Sequence, residues 1–214
     1  MFEFFFVTPE ALWRAALVTL LITVVSSVIG TAAGIALWGV SRGPLQPAFV
    51  LAADVVRIVP NLVIIFLVYY FPYNSFGLVP PGPITSAIAG LAIAQCAYTF
   101  DVIRTVVPQV PAAQIEGFKA VGASREAIAR HVYLPNIFRL AWAPHIALWI
   151  GNLKLSSLAS VIGAPDLAYV ARVAAANTFR LFEAWIAVSI VYVLLFVPIL
   201  ILGRRVERLA AFRQ

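Results

Sequence analysis

Mostly apolar runs of membrane-spanning length recur along this chain, at residues 12–40, 49–71, 84–107, 137–162 and 184–202. About 20 apolar residues in a helix cross the roughly 30 Å hydrocarbon layer of a bilayer. Within that layer only helices and closed barrels satisfy their own backbone hydrogen bonds. The 214 residues are 63% hydrophobic and 11% charged, whereas soluble domains run at roughly 45–50% apolar. The reading is an all-α membrane protein, with five transmembrane helices forming a single transmembrane domain over residues 1–214. No room remains for a sizeable soluble domain. The net charge of +6 does not signal nucleic acid, because no basic face with interleaved aromatics stands outside the apolar runs. The single cysteine, Cys96, excludes an intramolecular disulfide. The start, MFEFFFVTPEALWR, lacks the basic segment of a cleavable signal. The first run is expected to be its own insertion signal, with Phe4, Phe5 and Phe6 in the membrane interface.

Basic residues orient such a chain, since Lys and Arg concentrate on the cytoplasmic side. Five spans put the ends on opposite sides. With the N-terminus outside and the C-terminus inside, Arg42, Arg104, Lys119, Arg125, Arg130, Arg139, Arg204, Arg205, Arg208 and Arg213 fall at or near the cytoplasm. Arg14, Arg172 and Arg180 fall outside, and Arg57 and Lys154 lie within spans. Ten against three sets the orientation and makes residues 108–136 cytoplasmic.

That segment is the most polar part of the chain. It carries Glu116, Lys119, Arg125, Glu126, Arg130 and His131. Ile115, Phe118, Ala120 and Val121, then Ile128 and Val132, suit two short amphipathic helices. Gly122 stands where a sharp turn needs a residue without Cβ, and Pro135 is expected to end the second helix before the next span. Two short helices meeting at a glycine make an exposed knuckle, a shape suited to docking into a partner.

The knuckle resembles the EAA loop of ABC importer permeases, which reads roughly EAA, three residues, G, nine residues, I-x-L-P. Glu116, Gly122, Leu134 and Pro135 match at that spacing, Val132 replaces Ile, and Gly117 and Phe118 replace the alanine pair. Gly117 loosens the first helix by about 1 kcal/mol relative to Ala. Three further stretches resemble the polar amino-acid branch of type I ABC importers. Val56 to Leu62 is similar to its arginine-x-x-proline-x-leucine stretch. Ala97-Tyr98-Thr99-Phe100-Asp101-Val102-Ile103-Arg104 is similar to its A-Y-x-x-E-x-x-R, with Asp101 for Glu. Asn152-Leu153-Lys154-Leu155-Ser156-Ser157-Leu158 is similar to its N-x-x-K-x-[ST]-S-L. Gln114 precedes Glu116 as in that branch, with Ala113 for its Gly.

The resemblance implies a permease subunit of the bacterial cytoplasmic (inner) membrane, working by alternating access. It implies two ATPase subunits that hold ATP and magnesium, a second permease, identical or homologous, and an extracytoplasmic solute-binding protein. The cargo would be polar amino acids or related compounds such as opines. Gln114, Glu116, Gly117, Phe118, Gly122, Ala123, Leu134 and Pro135 would then form the ATPase-coupling surface.

Charges inside a membrane cost about 2.5–3.5 kcal/mol each, so Asp54, Arg57, Asp101, Arg104 and Lys154 need partners or water. Asp54 and Arg57 share a helix face at a spacing of three, as do Asp101 and Arg104. With the second span running outward and the third inward, Arg57 and Asp101 come to similar depth and suit an inter-helix pair. The same charges also suit a substrate path or gate, with Tyr98 beside them. A carboxylate would receive an amino acid's ammonium, and Arg57, Arg104 or Lys154 its carboxylate. Asn152, Ser156 and Ser157 would add neutral hydrogen bonds.

The chain is not expected to be an enzyme or to hold a cofactor or metal itself. Gly117 to Ser124 has the glycine spacing of a phosphate loop, but Ala123 occupies the lysine position and no strand precedes it. His131, His145 and Cys96 lack ligand spacing. The rival readings are an ion-coupled secondary amino-acid transporter and a non-transporting membrane scaffold.

Overall fold

A computed structural model describes residues 8–41 and 43–211, with only the backbone at residue 202 and over 206–211. The aromatic residues 4–6, Arg42 and Arg213 lie outside the described residues, and Arg208 is described in its backbone alone. Among the described residues nine α-helices follow in order: α1 Pro9–Val40, α2 Gln46–Ile58, α3 Asn61–Tyr69, α4 Pro83–Val106, α5 Ala112–Ala120, α6 Arg125–Ile128, α7 Leu134–Leu155, α8 Leu167–Thr178 and α9 Leu181–Ala211. Stretches Pro9–Val40, Pro83–Gln109, Arg125–Ile162 and Leu181–Arg205 are long and apolar enough to cross a membrane.

The second expected span, over 49–71, is corrected to a broken one. Its limbs Gly43–Ile58 and Asn61–Tyr69 meet at 98°. The cause is local. Pro60 has no amide proton and forces its predecessor out of the helical region, and Val59 accordingly sits at ψ 127°. At 1.5 Å per residue, α2 and α3 are about 20 and 14 Å long, so neither limb alone crosses the bilayer.

Helix α1 is the axis of the bundle. Thr8 caps it, its hydroxyl accepting from the Ala11 amide at 3.2 Å, and Pro9 opens the first turn. Its buried face is rich in small residues: Thr19, Thr23, Ser26, Ser27, Gly30 and Gly34. The two glycines let α4 come close. A Cβ on Gly30 would stand 2.5 Å from the Gln95 Cβ, and one on Gly34 would stand 2.6 Å from the Cys96 carbonyl oxygen. The hydroxyls of the same face tie in three other elements. Gln95 of α4 and Trp149 of α7 donate to Thr31 at 3.4 and 3.3 Å, and the Asn152 amide of α7 donates to Ser26 and Ser27 at 2.8 Å each. The Leu167 amide, opening α8, donates to Thr19 at 3.2 Å. Between helices in lipid, close approach and hydrogen bonds replace the hydrophobic drive that assembles soluble cores.

The expectation that Pro135 stops the second knuckle helix is also corrected. The chain stays helical from Arg125 through Leu155, and Pro135 sits in the first turn of α7. A proline ring clashes with the carbonyl four residues earlier in a regular α-helix. Here Ala129–Tyr133 widen into a π-helical stretch, in which Leu134 donates to the Ala129 carbonyl. That widening re-aims the carbonyls just ahead of Pro135 and lets the helix run on.

Candidate functional site

Three places bring polar chemistry together, and the first is the knuckle. Helix α5 ends in a left-handed turn at Gly122, φ +75°. The Gly122 amide donates to the Lys119 carbonyl at 3.0 Å and the Ala123 amide to the Phe118 carbonyl at 3.0 Å. This is a glycine-terminated helix end in which two otherwise orphaned carbonyls are satisfied. Ser124 caps α6 at once, accepting from the Ala127 amide at 3.1 Å. Beneath the turn lies a small core of its own, made by Val110, Ile128 and Val132. Gln114 of α5 accepts from the Asn136 amide at the start of α7 at 2.8 Å. Phe118 stacks on His131 with ring centroids 6.4 Å apart. Fixed from below, the knuckle leaves Glu116, Phe118, Val121 and Leu134 exposed, with Val121 at the tip 82% exposed.

The second place lies between α2 and α4. Asp54, Arg57, Asp101 and Arg104 form a closed ring of ion pairs. Its edges are Asp54–Arg57 at 3.2 Å, Arg57–Asp101 at 2.9 Å, Asp101–Arg104 at 2.5 Å and Arg104–Asp54 at 3.8 Å. The inter-helix Arg57–Asp101 contact is the one expected from helix direction and depth. Two acids and two bases make the ring neutral. The Tyr98 ring lies 5.8 Å from the Arg57 guanidinium, within cation–π reach. The four side chains are between 22% and 42% exposed.

The third place is a groove of about 500 Å³ between the end of α7 and one face of α9, floored by Ala168 of α8. Lys154 and Ser157 stand on the α7 side, facing Trp185, Ser189, Tyr192 and Phe196 of α9. The Lys154 ammonium lies 5.9 Å from the centre of the Phe196 ring and forms no ion pair among the described residues.

The other two residues of the α7 motif point elsewhere. Asn152 is buried and committed to Ser26 and Ser27. Ser156 is buried and donates to the Leu153 carbonyl at 2.7 Å. The motif therefore divides: Lys154 and Ser157 reach the groove, while Asn152 and Ser156 hold α7 in place.

One polar residue was not singled out from sequence. Asp166 is fully buried at the start of α8, accepting from the Tyr169 amide at 2.8 Å. Its other carboxylate oxygen is buried without a hydrogen bond among the described residues. Burial pushes its carboxyl up to about 7, against the opposing pull of the backbone amides and Arg172. An acidic residue opening a helical apolar run was the available signal, and it reads first as a cap.

Comparison with known proteins supplies the context. Residues 26–213 match the profile of a family described as the inner membrane component of binding-protein-dependent transport systems. The chain is 31% identical over 138 residues to the probable amino-acid ABC transporter permease protein PatM of Vibrio harveyi, covering 62% of this chain and 60% of that protein. It is 30% identical over 155 residues to the glutamine transport system permease protein GlnP of Escherichia coli (strain K12), covering 72% of this chain and 71% of that one. Among solved structures, a chain in the crystal structure of an amino acid ABC transporter with histidines superposes with a TM-score of 0.82 at 26% identity, over 93% of this chain and 94% of that one.

Proposed function

Because this chain belongs to the family of inner membrane components of binding-protein-dependent transport systems, with the fold of a type I ABC importer permease, we propose that it carries amino acids inward on ATP hydrolysed by a partner. The cargo class is polar amino acids or related compounds such as opines, in keeping with the amino-acid, glutamine and nopaline transport named for its relatives. The observation that carries this reading is the knuckle. A transporter driven by its own ion gradient has no use for an exposed, internally braced two-helix projection outside its spans. A permease driven by a separate ATPase needs one.

In this reading Glu116, Phe118, Val121 and Gly122 meet the ATPase, with Gln114, Ala123, Leu134 and Pro135 fixing their frame. The knuckle is continuous with α7, so ATPase closure is carried into the bundle through one helix. The ion-pair ring between α2 and α4 acts as a latch. A neutral, partly exposed ring reopens at modest cost when the helices move, because each charge regains water. Two permeases form the path, and an extracytoplasmic binding protein delivers the cargo. The N-terminus lies outside and the C-terminus in the cytoplasm.

Affinity purification of the chain from its native host in mild detergent, followed by mass spectrometry, tests this. A nucleotide-hydrolysing subunit in near-equal amount is expected, together with ATP-dependent amino-acid uptake by vesicles of the complex. The folded chain recovered without an ATPase, or uptake driven by an ion gradient alone, overturns it.

A further inference from the structure

The connection between α8 and α9 holds the one non-glycine residue with positive φ among the described residues: Phe179, at φ 56° and ψ 16°. A left-handed residue after a helix is usually glycine or asparagine, because a Cβ there crowds the following carbonyl. A bulky residue kept in that region points to a use for its side chain. The turn around it is firmly held. The Phe179 amide donates to the Ala175 carbonyl at 2.9 Å, the Thr178 hydroxyl donates to the Ala174 carbonyl at 2.8 Å, and the Arg180 amide donates to that hydroxyl at 3.3 Å. None of these bonds uses the phenyl ring, and Phe179 is 86% exposed. Leu181 and Phe182 follow it, also exposed. A firmly built corner thus presents large apolar side chains with no cover from the chain itself.

Depth says what covers them. Arg204 and Arg205 are exposed towards the far end of α9. Counting back about 20 residues, one hydrocarbon thickness, reaches Ala184 and Trp185. Phe182, Leu181 and Phe179 lie just beyond, in the boundary layer of headgroups and upper chains, roughly 5–7 Å thick on each side. A second helix marks the same level. Leu12 of α1 packs in one cluster with Ala184 of α9, and the next residue on each helix is an exposed tryptophan, Trp13 and Trp185. Indole rings collect at the membrane–water boundary. Beside Trp13, Arg14 reaches back one turn towards the start of α1 and pairs with Glu10 at 2.6 Å, the course of a cation lifting its charge out of hydrocarbon.

We propose that the Phe179 turn is a lipid anchor: Phe179, Leu181 and Phe182 insert into the headgroup–acyl boundary of the leaflet around the N-terminal ends of α1 and α9, and hold the corner between α8 and α9 at that depth. Removing the rings from water offsets the cost of the left-handed backbone. The anchor depends on neither cargo nor ATPase, and it stands or falls apart from the importer reading.

Two measurements test it, both on the full chain purified with whatever subunits accompany it and placed in phosphatidylcholine nanodiscs. In a Cys96→Ser background, Phe179→Cys and, separately, Phe182→Cys are labelled with bimane, with the Cys96→Ser protein as the blank. Lipid carrying a spin label on its headgroup is expected to quench both labels at least about twofold more than lipid labelled at the chain end, while aqueous iodide quenches them weakly. Strong quenching by iodide overturns the proposal, the result expected where the turn stands in water as a seat for a soluble binding protein. Quenching by neither lipid nor iodide overturns it too, as where a second permease covers the turn. The second measurement is the thermal midpoint of Phe179→Gly, with Cys96 in place. Glycine relieves the left-handed backbone, so a turn bare to water gains stability from the change. The anchor predicts the opposite sign: the midpoint falls in Phe179→Gly and is retained in Phe179→Trp, which keeps an interfacial ring. A midpoint unchanged or raised in Phe179→Gly, or lowered equally in both variants, overturns the anchor.

Discussion

At the scale of single residues, charge placement decides most of the chemistry. Asp101 joins two edges of the ring, to Arg57 and Arg104. Asp101→Ala leaves two guanidiniums sharing Asp54, an uncompensated charge costing on the order of 1–3 kcal/mol. The expected outcome in folded protein is loss of both transport and substrate-stimulated ATP hydrolysis, with recovery in Asp101→Glu. Normal values for both in the alanine variant would remove the latch. Asp166 makes a different prediction. Its carboxyl is raised in the folded protein, from 3.8 to about 7, so the folded state binds the proton more tightly than the unfolded state. Stability conferred by that proton is full below 3.8 and declines as pH rises towards about 7, then levels off. The thermal midpoint in detergent should fall across that window. Asp166→Asn keeps the helix cap and should flatten this part of the profile, raising the midpoint above pH 7. An unchanged slope in Asp166→Asn would assign the pH response to another group.

At the scale of elements, prolines and glycines set where helices bend, end and touch. Val59-Pro60 breaks the second crossing by 98°, and the limb beyond the break packs closely on α4: a Cβ on Gly90 would stand 3.0 Å from Ile65 of α3. The knuckle turn depends on Gly122 at φ +75°. A Cβ there meets nothing within 4 Å, so Gly122→Leu costs only about 1–2 kcal/mol of backbone strain and leaves the spans folded. Its side chain stands on the surface assigned to the ATPase. Cargo moved per ATP hydrolysed is expected to fall on the order of tenfold, within the usual range of coupling energies. Unchanged coupling in that variant counts against docking at the knuckle. The exposed Phe118 was legible as a departure from the family pattern, but not its stacking on His131, since the two are 13 positions apart and on different helices.

At the scale of the whole molecule, the proposed orientation rests on the bias of Lys and Arg. In a Cys96→Ser background, Asn74→Cys is expected to react with a membrane-impermeant maleimide on intact cells. Lys119→Cys is expected to react only after lysis. The opposite pattern inverts the topology and with it the side on which an ATPase can dock.

The apolar runs and the polar knuckle between them were determined by the sequence, because hydrocarbon depth fixes helix length and punctuating residues act locally; the break of the second run at Val59-Pro60 was not foreseen. Spacing and helix direction were also enough to bring Arg57 towards Asp101. The tertiary structure alone decided which half of a motif faces inward. Asn152 and Ser156 against Lys154 and Ser157 is a question of helix rotation, settled by hydroxyls on α1 more than 120 positions away. It alone turned the presumed stop at Pro135 into a continuous helix, because a widened turn upstream absorbs the clash. And it alone made the groove, which exists only where α7, α8 and α9 converge: an unpaired lysine is visible in a sequence, but the walls that tell what it can hold are not.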